Sequence, residues 1–280
     1  MIDKSKIKKA FSRSATTYDR YGTLQRDVAK SLSSLISQNI DMLDRILDIG
    51  TGTGNVAIDL ADRYPSSDIH ACDIAHGMSV YAERKFKRSA GKIGNESSNL
   101  YILTAEAEFL PYPSDYFDLV VSSLTYQWVY DLRSAFFEVR RVLKEAGWFF
   151  FTMLGQGTLK ELRDSYISAW DELGDKDKGR RRLHRFVDIN DVECMLKGIG
   201  FGDMIISSKR ERCFYQDVVT LLHTLKFIGA QNASVDDGES GINGRMIIDR
   251  MIKIYEDRYK RENGIPATYE VFFVRGKKGL

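Results

Sequence analysis

The sequence has 280 residues, of which 43% are hydrophobic and 29% are charged, as in an ordinary globular protein. Its 41 lysines and arginines nearly balance its 39 aspartates and glutamates, so it lacks the basic excess of a dedicated nucleic-acid-binding protein. No apolar run approaches the roughly 20 residues of a membrane span, and the N-terminus lacks the apolar stretch of a secretory signal, so we expect neither nucleic acid nor membrane as a partner.

The first half of the chain predicts alternating strands and helices. Residues 1–40 carry apolar side chains at helical spacing and predict two helices. The following predicted elements are a strand at Arg45–Gly50, a helix at Thr53–Tyr64, a strand at Asp68–Ile74, a helix at His76–Arg88, strands at Leu100–Ala105 and Phe117–Leu124, a helix at Asp131–Lys144 and a strand at Trp148–Leu154. Asp131 is a predicted N-cap, Gly147 follows the end of that helix, and the polar segment Ser89–Asn99 is a predicted loop. This alternation is typical of an α/β protein with a parallel sheet.

The pattern changes after residue 155. The predicted elements there are helices at Leu159–Leu173, Asn190–Ile199, Val218–Ile228 and Arg245–Arg261, strands at Asp203–Phe214 and Thr268–Arg275, and a polar loop at Gln231–Gly244. A charged stretch, GDKDKGRRRLHR, follows the first of these helices and is assigned to no element.

A glycine-rich turn lies between the first predicted strand and the helix that follows it. In the segment LDIGTGTGN, Gly50, Gly52 and Gly54 allow a sharp turn and the close approach of a ligand to the main chain. Free amides at the helix start can bind a carboxylate or phosphate, and Asp48 can accept a hydrogen bond from an ammonium group. The dinucleotide fingerprint is GxGxxG, whereas the spacing here is GxGxG. The pattern resembles motif I of class I S-adenosylmethionine (SAM)-dependent methyltransferases; the alternatives are a nicotinamide dehydrogenase and a turn without a ligand.

Further candidate cofactor residues follow the next strands. Asp73 ends the second strand about twenty residues past the turn, where an acid can hold both ribose hydroxyls; its alternative role is to cap the next helix. After the third strand, Glu106 or Ala107 could contact an adenine edge, and a solvated carboxylate is the alternative. The predicted cofactor-binding residues are Asp48, Gly50, Gly52, Gly54, Asp73, Ile74, Ala105, Glu106, Ala107 and Ser122.

The loop after the fourth strand reads SSLTYQW. It lacks the [DNS]PP[FYW] motif of amino-group methylation on bases or glutamine. Tyr126, Gln127 and Trp128 are the residues that we expect to face the substrate, with packing at the sheet edge as the alternative.

The cysteines and histidines predict neither disulfides nor a metal site. Cys72, Cys194 and Cys213 are odd in number and far apart, which is typical of reduced thiols in the cytoplasm. The four histidines form no close ligand pair, so we predict no metal.

Six segments spread along the chain are informative when taken together: Ala10–Ala29, Leu124–Trp128, Leu154–Leu162, His184–Phe186, Leu225–Ala230 and Ala267–Lys277. In these segments the chain resembles the malonyl-[acyl-carrier protein] O-methyltransferases of biotin synthesis. The resemblance implies a Rossmann-like, mostly parallel seven-stranded sheet with helices on both faces and helical lid insertions. It also implies SAM as the methyl donor, S-adenosylhomocysteine as the product, and a malonyl group on acyl-carrier protein, or malonyl-CoA, as the substrate. The alternatives are a class I methyltransferase for another small carboxylate or metabolite, and a binding protein without catalysis.

This resemblance suggests three segments within a single domain. Residues 1–40 are expected to form an N-terminal helical cover, 41–155 the SAM-binding core, and 156–280 the rest of the sheet with an inserted helical substrate lid. We expect Phe11 and Tyr18 of the cover to close over the cofactor and exclude water. A malonyl carboxylate is ionised at neutral pH, so we predict no catalytic acid or base, and only positioning by Tyr18, Gln127 and Trp128.

The substrate implies cationic sites. Arg185, Lys226 and His184 are the candidates to bind the malonyl carboxylate, each with a surface ion pair as its alternative role. Carrier proteins are acidic, so a basic docking face is expected. The candidate clusters are Lys6, Lys8 and Lys9, and Lys178, Arg180, Arg181 and Arg182, either of which could instead be simply solvated.

Overall fold

A seven-stranded sheet organises the computed structural model, which describes residues 3–93, 99–181, 183–230 and 242–279. The strands are β1 (Arg45–Ile49), β2 (Asp68–Asp73), β3 (Asn99–Thr104), β4 (Phe117–Ser123), β5 (Leu143–Leu154), β6 (Phe201–Tyr215) and β7 (Ile265–Lys278). Their order across the sheet is β3-β2-β1-β4-β5-β7-β6. The pairs β3–β2, β2–β1, β1–β4 and β4–β5 are parallel, so the predicted α/β class with a mostly parallel sheet is confirmed.

The helices connect these strands. In chain order they are α1 (Lys4–Ser14), α2 (Tyr18–Tyr21), α3 (Thr23–Ser37), α4 (Asn55–Arg63), α5 (His76–Ile93), α6 (Leu132–Val142), α7 (Lys160–Asp171), α8 (Lys176–Arg181), α9 (Ile189–Gly198), α10 (Val218–Phe227) and α11 (Ile242–Tyr259). Within the described ranges, no helix is both long and apolar enough to cross a membrane.

Parallel pairing around β1 positions the site. Ile49 at the end of β1 is the partner of Cys72, one residue before the end of β2. The glycine turn and Asp73 therefore leave neighbouring strands at the same edge of the sheet. The strand β4 on the other side of β1 is almost entirely buried, which explains its near-continuous apolar run.

The junction of α6 and β5 differs from the sequence prediction. The predicted N-cap is confirmed, because the Asp131 side chain accepts a hydrogen bond from the Ser134 amide. The helix ends at Val142, however, and not at Lys144. Strand pairing with β4 begins at the next residue, Leu143, and includes the segment of Gly147, which was wrongly predicted to follow a helix end.

Other boundaries also differ. The described residues 3–40 form three helices, because a short helix, α2, separates the two predicted ones. The helix α5 runs on to Ile93, so the first part of the predicted loop Ser89–Asn99 is helical, and residues 94–98 lie outside the described part. The predicted loop Gln231–Gly244 falls mostly on residues 231–241, which are also outside it, and α11 begins at Ile242. The charged stretch contains a helix, α8.

The chain divides into two compact units. The first comprises Met1–Met153, Asp188–Ser208 and Phe272–Leu280, and the second comprises Leu154–Val187 and Lys209–Val271. A core in the first unit contains the fully buried side chains of Leu32, Ile36, Ile46, Leu60, Leu119 and Phe150. In the second unit, α7 packs against α11, and the buried Glu161 carboxylate accepts hydrogen bonds from the amide and hydroxyl of Thr268.

Candidate active site

A cavity of about 740 Å³, including its opening to solvent, lies in the first unit where β1, β2 and β4 end. The residues that line it are Lys4, Ile7, Phe11, Tyr18, Ile49, Gly50, Gly52, Asp73, Ile74, Met78, Ala105, Ala107, Glu108, Ser123, Leu124, Thr125, Trp128 and Val129. The carboxyl end of a parallel sheet is the usual place for a ligand in such folds.

Nine of the residues predicted from sequence line this cavity. They are Phe11, Tyr18, Gly50, Gly52, Asp73, Ile74, Ala105, Ala107 and Trp128. The other predicted residues of this unit, Asp48, Gly54, Glu106, Ser122 and Gln127, are not among the lining residues. Three of them, Glu106, Ser122 and Gln127, form hydrogen bonds with lining residues.

The three glycines of the turn are needed for different structural reasons. All have positive φ, at 69° for Gly50, 57° for Gly52 and 82° for Gly54. A Cβ on Gly50 would lie 2.7 Å from the Cβ of Thr125, and one on Gly54 would lie 3.1 Å from the Cβ of Ala82. A Cβ on Gly52 would meet no atom within 4 Å. Gly50 and Gly54 therefore permit close packing, whereas Gly52 leaves open space at the cavity for a ligand.

Asp73 presents a buried carboxylate to the cavity. Its Oδ2 accepts a hydrogen bond from the Gly52 amide at 2.9 Å, and its Oδ1 accepts one from the Ala75 amide at 2.7 Å. Burial raises the pKa of Asp73 to about 6, although these two amides partly oppose the rise. Each carboxylate oxygen has a second lone pair, so the group can still accept hydrogen bonds from a pair of hydroxyls.

Asp48 lies buried behind the glycine turn. Neither of its carboxylate oxygens has a hydrogen bond of normal geometry within the described part of the chain. Burial, together with the charge of Asp73, raises the pKa of Asp48 to about 7, although the nearby Thr51 hydroxyl and Ala57 amide oppose the rise. A buried carboxylate without a partner is costly, and a ligand with an ammonium group beside the turn would reduce that cost.

The N-terminal helix α1 is joined to the loop after β3 by ion pairs. Lys8 Nζ lies 2.7 Å from Glu106 Oε1, and Lys4 Nζ lies 2.9 Å from Glu106 Oε2 and 3.1 Å from Glu108 Oε1. Hydrogen bonds from Lys8 and Lys4 lower the pKa of Glu106. Lys4 and Glu108 line the cavity and were missed at the sequence level, because no local pattern links two segments about 100 residues apart.

Aromatic side chains from the N-terminal segment form part of the cavity wall. The rings of Phe11 and Trp128 meet edge to face, with centroids 5.4 Å apart. Burial raises the pKa of Tyr18, and the neighbouring Asp73 carboxylate adds to the rise. The Tyr18 hydroxyl is therefore protonated at neutral pH and remains available as a hydrogen-bond donor.

Asp19 connects the same segment to the glycine turn. Its Oδ1 accepts a hydrogen bond from the Thr53 hydroxyl at 2.6 Å, and its Oδ2 lies 2.8 Å from the Nζ of Lys85. Lys85 also donates to Asn55 Oδ1 at 2.6 Å. This polar cluster links α2, the start of α4 and α5 beside the cavity.

Buried side chains stabilise the loop after β4 through hydrogen bonds. Leu124 lines the cavity with φ of 51°, an unusual conformation for leucine. Gln127 is buried and donates through Nε2 to the Leu124 carbonyl at 2.6 Å, and Ser122 donates to the Ile49 carbonyl at 2.8 Å. Tyr126 is fully buried among aromatic rings, so it packs in the core, which was the alternative role.

The candidate carboxylate-binding residues lie in the second unit. The side chains of Arg185 and Lys226 are exposed, and the His184 ring contacts the Phe186 ring with centroids 4.8 Å apart. Arg163, which sequence reasoning did not single out, is half-buried and donates to the His184 carbonyl at 3.1 Å. Among the described residues, no carboxylate forms a salt bridge with Arg163. Nor does any group of three or more potential metal ligands occur in those ranges.

Comparison with known proteins identifies the family. The model of a methyltransferase domain matches residues 47–151. The malonyl-[acyl-carrier protein] O-methyltransferase of Geobacter sulfurreducens is 40% identical over 278 residues, which cover 99% of this chain and 100% of that protein. The chain belongs to the malonyl-[acyl-carrier protein] O-methyltransferase family. It is therefore a SAM-dependent methyltransferase, and the predicted enzyme class and methyl donor are confirmed.

Other relatives agree with this assignment. The family member from Gallionella capsiferriformans is 35% identical over 273 residues, covering 98% of this chain and 90% of that protein. Among solved structures, the YcgJ protein of Bacillus subtilis shares the fold, with a TM-score of 0.59 and 20% identity over 90% of this chain and 99% of that chain.

Proposed function

We propose that this enzyme methylates the free carboxylate of a malonyl thioester on acyl-carrier protein, which supplies a malonyl methyl ester for biotin synthesis. The observation that carries the proposal is the extent of the match to relatives of that name. The methyltransferase-domain match covers only residues 47–151, but the 40% identity extends over 99% of the chain. The similarity thus includes the segments outside the cofactor core, where we expect substrate selection.

The residues beside the glycine turn suit SAM. Asp73 would accept hydrogen bonds from the ribose hydroxyls, Asp48 would balance the ammonium group, and the backbone at Gly52 leaves room for the donor. Ala105 and Ala107 would lie beside the adenine. When bound, SAM supplies a methyl group on a positively charged sulfur.

The chemistry requires no proton transfer. The malonyl carboxylate, already ionised at neutral pH, attacks the methyl carbon; an O–C bond forms while the C–S bond breaks, and its electron pair stays on sulfur. Opposite charges on carboxylate and sulfonium cancel as the bond forms. The protein then has to orient the reactants and exclude water, a role that we assign to Phe11, Tyr18 and Trp128.

A cation is needed to select a carboxylate over a neutral acyl end. We retain Arg185, Lys226 and His184 as candidates and add Arg163, because its half-buried charge forms no salt bridge with described residues. Replacing the correct cation by methionine should raise KM for the malonyl thioester and leave the affinity for SAM unchanged. A candidate whose replacement changes neither KM nor kcat is excluded.

A cytoplasmic location is also part of the proposal. Within the described residues, Cys72 and Cys194 form no disulfide. Free thiols are typical of a reducing compartment. Fractionation of cells that express the full chain, followed by immunoblotting, would test the location.

Mass spectrometry of malonyl-carrier protein incubated with the enzyme and SAM tests the function. We expect the mass of one methyl group to be added, and mild alkali to remove it, because a carboxylate methyl ester hydrolyses. A methyl group that survives alkali would indicate methylation on carbon or nitrogen and would contradict the proposal. Malonyl-CoA in a parallel reaction measures the preference between carrier protein and coenzyme A.

A matched pair of variants distinguishes methyl transfer at this cavity from the activity of a contaminating enzyme. Asp73→Ala should abolish methyl transfer, whereas Asp62→Ala, on the exposed side of α4, should retain it. A panel of other small carboxylates tests the alternative substrate class. Activity on that panel without activity on malonyl thioesters would favour the alternative.

A further inference from the structure

The helix α1 carries an unbalanced positive charge. Its eleven residues include five cations and no acidic side chain, the cations being Lys4, Lys6, Lys8, Lys9 and Arg13. Lys4 and Lys8 form ion pairs with Glu106 and Glu108 and are thereby neutralised. The other three are exposed, and among the described residues none of them has an ion-pair partner.

These three cations share one face of the helix. At 3.6 residues per turn, Lys6, Lys9 and Arg13 lie within about 60° of one another around the helix axis. The opposite face carries Ile7 and Phe11, which line the cavity. One helix therefore covers the reaction site on its inner side and presents an α1 basic face, defined as Lys6, Lys9 and Arg13, on its outer side.

The helix ends do not compensate the charge of this face. The N-terminal end of a helix has a positive partial charge, and here the Asp3 carboxylate caps it by accepting hydrogen bonds from the Ser5 and Lys6 amides. That carboxylate forms no salt bridge with Lys6, and no described acidic side chain pairs with Lys9 or Arg13. An acidic partner bound to this face would therefore compensate a charge that the described part of the chain leaves without an ion pair.

The second basic cluster differs in this respect in its described residues, which do not include Arg182. Arg180 and Arg181 lie 3.6 Å and 3.9 Å from carboxylate oxygens of Asp177 and Asp175. The ammonium group of Lys178 lies over the Trp170 ring, 4.4 Å from its centroid. These cations already have partners within their own unit, so they have less to gain from an external one.

Two exposed aromatic side chains also border the cavity. Phe109 is 75% exposed and follows Glu108, and Tyr130 is 57% exposed and follows Val129. Exposed aromatic rings beside a charged surface are typical of protein-binding sites. Phe109 directly follows Glu108, which holds α1 through its ion pair with Lys4.

We infer that the α1 basic face binds the acidic surface of the carrier protein that presents the acyl thioester. The inference rests on the proposed function, because it assumes a carrier-bound substrate. Docking on the helix that lines the cavity brings the thioester arm to the site. Attraction between exposed opposite charges should accelerate association and weaken as salt screens it.

Charge reversal tests the inference. The variant Lys6→Glu/Lys9→Glu/Arg13→Glu should lower kcat/KM for malonyl-carrier protein by about tenfold or more, because attraction becomes repulsion. Activity on malonyl-pantetheine, which has no protein part, should stay within about twofold of wild type, because the three residues do not line the cavity. The wild-type rate on the carrier should fall with added salt, and the variant should lose that fall.

A matched reversal at the second cluster, Lys178→Glu/Arg180→Glu/Arg181→Glu, is the control and should leave both activities unchanged. A neutral variant, Lys6→Ala/Lys9→Ala/Arg13→Ala, should lose part of the carrier activity with SAM affinity unchanged, which guards against misfolding of the reversed helix. Equal loss on both substrates, no loss on the carrier, or a selective loss in the control variant would overturn the inference. Wild-type failure on every malonyl thioester would instead contradict the proposed function.

Discussion

Replacement of Asp48 by asparagine should stabilise the protein in the absence of SAM and weaken SAM binding. The carboxylate is buried without a normal hydrogen bond among the described residues, and burial raises its pKa to about 7 from an ordinary 3.8. Because the folded state holds this proton more tightly than the unfolded chain, stability that is present below about pH 4 is lost as the pH rises through about 7.

The size of the effect follows from the pKa. A rise from 3.8 to about 7 spans about 3 pH units, and each corresponds to about 1.4 kcal/mol, so the ionised Asp48 costs roughly 4 kcal/mol at pH 8. Removing the charge avoids this cost, but a buried asparagine amide without hydrogen-bond partners itself costs about 2 kcal/mol. We expect Asp48→Asn to increase the free energy of unfolding by about 2 kcal/mol at pH 8. The gain should disappear near pH 5, where the wild-type carboxyl is protonated.

Urea denaturation of the SAM-free protein at pH 5, 6, 7 and 8 measures this difference, with the exposed Asp62→Asn as the matched control. Calorimetry should show SAM affinity reduced by roughly tenfold to a hundredfold in Asp48→Asn, since a hydrogen bond to a charged group is lost. An unfolding free energy no higher than that of wild type at pH 8, or a gain that is the same at every pH, would refute the reasoning.

Other predictions concern the turn and the N-terminal cover. Gly50→Ala should lower the free energy of unfolding by about 3 kcal/mol, because its Cβ meets Thr125. Gly52→Ala should lower it by only about 1 kcal/mol, through backbone strain. In calorimetry, however, Gly52→Ala should reduce the affinity for SAM by about tenfold. The reverse order of stability would contradict this. Asp19→Asn should raise KM for SAM by about fivefold with kcat less affected, since it weakens the link to the turn; a change in kcat alone would argue against it. Tyr18→Phe should lower kcat by about tenfold in steady-state assays, and unchanged turnover would remove Tyr18 from the positioning residues.

Local patterns predicted the central part of the fold. The strand β1 and the turn that follows it were correct because an apolar run that ends in alternating glycines permits few other conformations. The predicted boundary between α6 and β5 was wrong because the two elements share an apolar stretch at Val142 and Leu143. Only pairing with β4, far away in sequence, decides where the strand begins.

The candidate site likewise contains residues that the sequence predicted and residues that it did not. Asp73 and Gly52 were predicted because parallel strands bring their ends together, which sequence order alone implies. Lys4 and Glu108 were missed because their ion pair joins segments that no periodicity connects. Asp48 illustrates an intermediate case: its position was predicted, but the absence of a normal hydrogen bond among described residues depends on how the turn packs.

We propose that the two buried carboxylates, Asp48 and Asp73, make the site favourable for a cationic donor. The charge of Asp73 raises the pKa of Asp48, so without SAM the pair repel each other in a buried environment. A ligand with an ammonium group and a positive sulfur would reduce both the repulsion and the cost of burial. The pair would then hold less tightly a product whose sulfur has lost its charge. We therefore propose that the same feature that destabilises the SAM-free protein favours binding of the donor and release of S-adenosylhomocysteine.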